Sequence, residues 1–221
     1  PVGTNDVNIV WEWHLWDHLI QEVDPDLPNY GVVSDHPELQ DINYGNAGSN
    51  GGPGGANGDW KHFNAVAYNE DLDQIALSSR FHDEIYIIDH STTTEEAAGH
   101  TGGNSGMGGD FLYRWGNPHS YNRGGDLDRV LDDQHSVNWI PEGYPGEGNL
   151  ILFNNNYGSN SAVFEIVTPI NEDGTYSISP GQPYGPIEPI WIHTGPFHTQ
   201  MQGGAFRLPN GNTLITDCND A

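Results

Sequence analysis

HFNAVAYNEDLDQIALSSRFHDEIYIID, residues 62–89, decides the fold. It contains three short runs rich in β-branched and aromatic residues: FNAVAY at 63–68, QIALSS at 74–79 and EIYIID at 84–89. The turn-rich NEDLD at 69–73 separates the first two. Runs of this length and composition, broken by such turns, read as antiparallel strands. A fourth run, FLYRW at 111–115, closes the unit before Gly-Asn-Pro.

The same order then recurs. His135 stands 73 residues after His62 and opens runs at 136–141, 150–155, 162–167 and 189–194, again followed by Gly-Pro. Gly203, a further 68 residues on, opens runs at 204–209 and 213–217 around the turn PNGN at 209–212. Upstream, NIVWEWH at 8–14 reads as the closing strand of a preceding unit. Apolar stripes of helical period are absent, apart from a short turn around Trp16–Gln21.

Four-stranded units in tandem predict an all-β chain, a partial β-propeller of about two complete blades with flanking strands. The expected layout is one domain over 1–221, incomplete at both ends. Its blades fall at about 62–118 and 135–196, with a partial third from 203. The period exceeds the roughly 40–50 residues of familiar blades, and insertions at 91–110 and 168–188 account for the excess. The Gly-rich stretch 46–59 reads as a loop between blades. Eleven strands do not close a propeller, which takes at least about four blades. Other segments or chains are therefore expected to complete the ring. The competing architecture, a β-sandwich with long loops, does not account for the repeat.

Composition narrows the function. Six Lys and Arg face 31 Asp and Glu, a formal charge of −25 over 221 residues. Nucleic acid is excluded as a partner, because phosphate binding needs clustered cations. No apolar run approaches the roughly 20 residues of a membrane helix, so no membrane insertion is expected. The acidic balance favours an extracytoplasmic location, periplasmic or secreted. The single cysteine, Cys218, allows no internal disulfide and reads as a small residue at a strand end.

Equivalent positions in successive blades converge on a common axis. His62 and His135 share one repeat position and are expected to meet at a central cavity. Asp59 before the first, and Asp133 with Gln134 before the second, are placed to orient the rings. Arg80 is one of the few cations; it reads either as a partner of Asp83 or Glu84 or as an anion-binding group. Asn64 and Asn138, just past the two histidines, are substrate-binding candidates. No zinc-protease, EF-hand, nucleophile-elbow or dinucleotide pattern occurs, so no cofactor and no catalytic metal are expected. His14 and His18 lie four apart but among apolar residues, which favours packing over chelation. The acidic run 126–133 leaves calcium binding open.

GDWKHFNAVAY, DQIALSSRFHDEIYIIDHST, GGDFLYRWGNP, DDQHSVNWIPEGYPGEGNLILFNN and RLPNGNTLIT together resemble the bacterial arylsulfotransferases. The resemblance runs from about Val7 to Thr216, and its DWxHxN and SSR segments are the more specific parts. It implies a six-bladed propeller that moves a sulfuryl group from a phenolic sulfate ester to a phenol, with no nucleotide donor. It implies that His62, Arg80 and His135 surround the transferring group. It further implies a transiently sulfated histidine from a later blade, a place for which His198 is the candidate. The alternative function is a non-catalytic secreted propeller with a structural, adhesive or calcium-binding role.

Overall fold

Alternation along Glu84–Asp89 sets the layering. Ile85 and Ile87 point to one side of their strand, and Tyr86 and Ile88 to the other; all four are buried. A strand apolar on both faces must be covered on both faces. The computed structural model describes residues 8–45 and 58–218, together with the main-chain pairing of 51–52 and 55–56. The two chain ends and most of the Gly-rich stretch 46–59 lie outside the described residues.

The first elements are minor. β1 (Leu19–Ile20) and β2 (Gln40–Asp41) pair in parallel, and β3 (Gly51–Gly52) and β4 (Gly55–Ala56) antiparallel. Two four-stranded antiparallel sheets follow. In the first, β5 (Phe63–Asn69), β6 (Gln74–Ser79), β7 (Glu84–Asp89) and β8 (Phe111–Trp115) lie side by side in chain order. In the second, β9 (His135–Trp139), β10 (Leu150–Tyr157), β11 (Asn160–Ile166) and β12 (Trp191–Thr194) do the same. A hairpin of β13 (Gly204–Arg207) and β14 (Thr213–Thr216) comes last. The chain is thus all-β; among the described residues its helical structure is five short 3-10 turns and one α-helical turn, α1 (Thr94–Ala97), in the 91–110 insertion. Thr93 and Glu96 form a capping box on that turn. Among the described residues no helix is long and apolar enough to cross a membrane.

Ten of the eleven expected strands appear, with ends shifted by up to two residues. The exception is 8–14, whose residues 8–14 form no strand. Its tryptophans anchor it instead. Trp11 Nε1 donates to Thr92 Oγ1 (3.1 Å) and Trp13 Nε1 to the Gly109 carbonyl (2.7 Å). The segment lies on sheet 1 through side chains, not through a ladder.

The layers stack face to face. Ala76, Ile85, Ile87 and Tyr113 of sheet 1 pack against Leu150, Leu152, Phe164 and Ile166 of sheet 2. The opposite face of sheet 1 (Leu77, Tyr86, Ile88, Phe111) is covered by Trp11, Trp13, Leu15 and Trp60. The opposite face of sheet 2 (Ile151, Phe153, Val163) meets Ala205 and Ile215 of the hairpin. Each fully buried aliphatic or aromatic side chain contributes about 1.5–3 kcal/mol. First strands stand next to one another, β5 against β9 and β9 against β13.

Sheet 1 also carries a buried charge network. Arg114 and Glu84 are both inaccessible to solvent and form a two-pronged pair, Nε to Oε1 at 2.9 Å and Nη2 to Oε2 at 2.7 Å. Arg114 further donates to the Leu39 carbonyl and Ser120 Oγ, and its guanidinium lies 4.3 Å from the Tyr121 ring centre. Tyr86 OH donates to Glu84 (2.8 Å) and accepts from buried Lys61 Nζ (2.7 Å). Burial drives the Lys61 ammonium well below the usual lysine range.

Removing one partner of a buried pair strands the other charge. Arg114→Leu is expected to lower the unfolding free energy by about 3–5 kcal/mol in urea titrations. A loss under about 1 kcal/mol, the worth of an exposed pair, would show that this network is not what joins sheet 1 to residues 37–39 and 118–121.

Candidate functional site

Both sheets begin irregularly at the same place. In β5 the register slips between Phe63 and Ala65, so Asn64 is an extra residue. In β9 it slips where Ser136 and Val137 together face Leu152. Bulges of this kind bend a strand and re-aim its side chains. The surrounding backbone is strained as well. His62 (φ 48°), Asp83 (54°), Asp133 (58°), Ser136 (61°) and Gln202 (65°) all adopt left-handed conformations without being glycine. Such residues cost about 1–3 kcal/mol each and gather at functional sites. At His62 the Asp59 carboxylate holds the conformation, accepting the backbone N–H at 2.9 Å and the ring Nδ1–H at 2.5 Å.

The structure brings His62, Arg80 and His135 to one junction. Arg80 N–H donates to the His62 carbonyl (3.1 Å). Its Nη2 reaches across to Asp133 Oδ2 (2.9 Å), two residues before His135. The expected partners of Arg80 are otherwise engaged, Asp83 with Arg129 (2.6 Å) and Glu84 with Arg114. Arg80 Nε is buried and has no partner, so the guanidinium retains donor capacity beyond the Asp133 pair.

The tautomer of His135 follows from Asn155. The Asn155 Nδ2 donates to the carbonyls of Thr199 (2.9 Å) and Gln202 (2.7 Å). Its Oδ1 therefore faces His135 Nδ1, at 2.8 Å, and the Asp133 carbonyl faces the same nitrogen at 2.9 Å. Two acceptors on Nδ1 require the proton there. Nε2 keeps its lone pair, approached only by the Gln202 N–H at 3.3 Å. Burial pushes the His135 pKa below the usual imidazole value, outweighing its hydrogen bonds. Burial likewise raises the Asp83 carboxyl to about 6, even with Arg129 beside it.

The orienting groups are partly those the sequence suggests. Asp59 does hold His62. Asp133 holds His135 through its main chain, while its carboxylate serves Arg80. Gln134 turns away from the ring. Its buried amide enters sheet 1 and donates to the carbonyls of Ser79 (3.0 Å) and Glu84 (2.9 Å). Asn155 was not foreseen; the Asn154–Asn156 run at the end of an apolar strand is the signal that marks it.

Asn64 and Asn138 have structural uses at the sheet junctions. Asn64 Nδ2 donates to the Gln134 carbonyl (2.7 Å), tying β5 to the start of sheet 2. Asn138 Nδ2 donates to the carbonyls of Ser136 (2.8 Å) and Ala205 (3.0 Å), tying β9 to β13. His198 is exposed on the loop after β12, with Nδ1 on the Ser159 carbonyl (3.0 Å). From that loop it is Gln202, not His198, that meets His135 Nε2. In the acidic run 126–133, Asp132 and Asp133 draw near Asp83, and Arg129 and Arg80 engage these carboxylates. His14 and His18 do not share a site: His14 faces Glu12 and Asp17, whereas His18 is buried against Asp110. A wide cavity of about 1190 Å³ between Trp115, Arg129, Phe164 and Tyr184 includes none of His62, Arg80 or His135. Its lining has no histidine or cysteine to act as or activate a nucleophile, so the strained junction is the better candidate.

The family described as Arylsulfotransferase (ASST) matches residues 2–177. That span holds His62, Arg80, His135 and Asn155, and stops before His198. No curated protein matches the chain.

His135 is expected to titrate below 6.5 in an NMR pH series, and Asn155→Asp, which places a carboxylate on Nδ1, to raise that midpoint. Because the unfolded chain takes up this proton first, stability falls as pH drops through about 6.5. Part of that fall should vanish in His135→Gln. A midpoint above 6.5 in the unmodified protein would contradict the buried, Nδ1-protonated ring.

Proposed function

We propose, from the premise that this chain belongs to the arylsulfotransferase family, that it moves a sulfuryl group from a phenolic sulfate ester to a phenol through His135. The observation that carries this reading is the fixed tautomer of His135, with Nδ1–H held by Asn155 and Asp133 and Nε2 bearing the lone pair. Lowering of its pKa by burial keeps the imidazole neutral at neutral pH, the form that can attack.

The steps balance as a double displacement. His135 Nε2, once its long hydrogen bond from the Gln202 N–H gives way, attacks sulfur, the S–O bond to the ring breaks, and a phenolate leaves. Its conjugate acid has a pKa of about 10, which makes it a good leaving group. An acceptor phenol then gives up its proton and attacks the same sulfur, and the N–S bond breaks. His62, whose Nδ1 is held by Asp59, presents Nε2 as the group that carries these protons. Arg80 supplies positive charge beside the sulfuryl oxygens, as fixed donors do for charge in a transition state. In a chain of charge −25, such a cation is needed for an anionic donor to approach.

The propeller belongs to the same reading. Its support is the stacking of sheet 1, sheet 2 and hairpin with their first strands adjacent. Phe206 and Leu214, paired across the hairpin, stay exposed on its far face, which supports completion of the ring by further segments or chains. The strongly acidic chain supports an extracytoplasmic setting.

With a chromogenic aryl sulfate, His135→Asn is expected to reduce phenol release by about 10³-fold or more, and Arg80→Ala by about 10²-fold. His198→Ala should stay near the parent rate. The peptide containing His135 should gain one sulfuryl group when donor is supplied without acceptor. The acid limb of kcat/KM should lie below pH 6.5. Unchanged turnover in His135→Asn would end the assignment, and no turnover in the parent protein would favour a non-catalytic role.

A further inference from the structure

A second cluster lies at the β8 edge of sheet 1, at the far edge from β5, which His62 precedes. His18 comes from the segment before β1, and His100 and Asp110 from the 91–110 insertion, yet their ligand atoms lie within 4.8 Å of one another. His18 Nδ1 is 2.7 Å from Asp110 Oδ1, and His100 Nδ1 is 2.8 Å from the same oxygen. Two imidazole nitrogens thus converge on one carboxylate oxygen.

The other side of His18 constrains what lies between them. His18 Nε2 faces the Ala97 carbonyl at 2.9 Å, and a carbonyl only accepts. Nε2 therefore carries a proton. In the neutral ring Nδ1 then presents its lone pair to Asp110 at hydrogen-bond distance. Something positive must sit between the two, either a further proton or a metal ion. Donation of the outer N–H to a main-chain carbonyl is the arrangement that orients metal-bound histidines. The ring is also held rigidly. Trp13 stacks on it at 5.6 Å and 4°, and the Trp13 indole N–H binds the Gly109 carbonyl. A Cβ on Gly109 would come within 2.6 Å of His18 Nε2 and 2.1 Å of the Ala97 oxygen, so only glycine fits there.

We propose that His18 Nδ1, His100 Nδ1 and Asp110 Oδ1 bind a divalent transition-metal ion of the zinc class. Two imidazoles and one carboxylate suit such an ion, and a further position remains for water. Zinc lies about 2.0–2.2 Å from N and O ligands, so tetrahedral bonding needs donor atoms about 3.3 Å apart. The observed 2.7 and 2.8 Å must widen by roughly half an ångström. The first requires the Asp110 carboxylate to shift, because His18 is fully buried, while His100, whose side chain is 59% exposed, can move to widen the second. The same exposure gives the ion its way in. The bound ion would fasten the segment before β1 and the 91–110 insertion to sheet 1. The proposal stands apart from sulfuryl transfer and involves none of its residues.

The test uses tag-free protein, stripped with chelator and titrated near neutral pH with Zn²⁺ and, separately, Co²⁺. One equivalent should bind, the melting temperature should rise by several degrees, and Co²⁺ should give the intense visible bands of a tetrahedral site. His100→Ala, at an exposed position, should weaken binding by at least about tenfold and abolish those bands, whereas His14→Ala should change neither. Asp110→Asn serves as a second ligand variant. If Co²⁺ gives no tetrahedral bands with the parent protein, or if His100→Ala binds as tightly as the parent, a proton alone joins the cluster and the proposal is wrong.

Discussion

The buried amide of Gln134 is the contact on which the candidate site depends. Its side chain leaves the start of sheet 2 and enters sheet 1, filling the carbonyls of Ser79 and Glu84. The Gln134 main-chain carbonyl accepts from Asn64 of β5. A buried polar group without a partner costs about 1–3 kcal/mol, so these bonds define one relative placement of the sheets. Hydrophobic stacking alone would allow sliding, because apolar contact is non-directional. The amide bonds turn a packed interface into a registered one, and His135 is the next residue along the chain.

Registration explains why strained backbone is tolerated here. His62, Asp133 and Ser136 have left-handed dihedrals within a few residues of the two bulges, and Gln202, whose N–H meets His135, has one too. Three of these are tied down by side-chain hydrogen bonds: Asp59 on His62, Asp83 on the Asp133 N–H, Asn155 on the Gln202 carbonyl. The strained residues lie beside the side chains that hold the two sheets together, and the sheets behind them are rigid. A group transfer that depends on position more than on strong acids or bases is suited to such a mount.

The charge pattern has the same logic. With 31 acidic and six basic side chains, every Lys and Arg is a scarce resource. Arg114 and Lys61 are buried in sheet 1, Arg207 pairs with Glu165, and Arg129 holds Asp83. Arg80 stands at the junction of the two sheets, engaged by one carboxylate and with Nε unpartnered. The cations work at joints, while the solvent-facing surface remains strongly acidic.

The sequence by itself determined the elements and their order. Strand periodicity and turn residues are local, so the runs from 63 to 216 were legible. Asp59 was legible as the group orienting His62, because it lies three residues away. Tertiary structure alone decided what depends on distant partners. The run 8–14 has strand composition but is anchored by tryptophans to Thr92 and Gly109 in place of a ladder. Arg80 pairs with Asp133 although Asp83 and Glu84 are nearer in sequence, because those two are held by Arg129 and Arg114. Asn155 fixes the His135 tautomer from the next strand, and His18 meets Asp110 across 92 residues. Local patterns reveal which face of a strand is buried, but not which of several chemically suitable partners the folded chain brings within three ångströms.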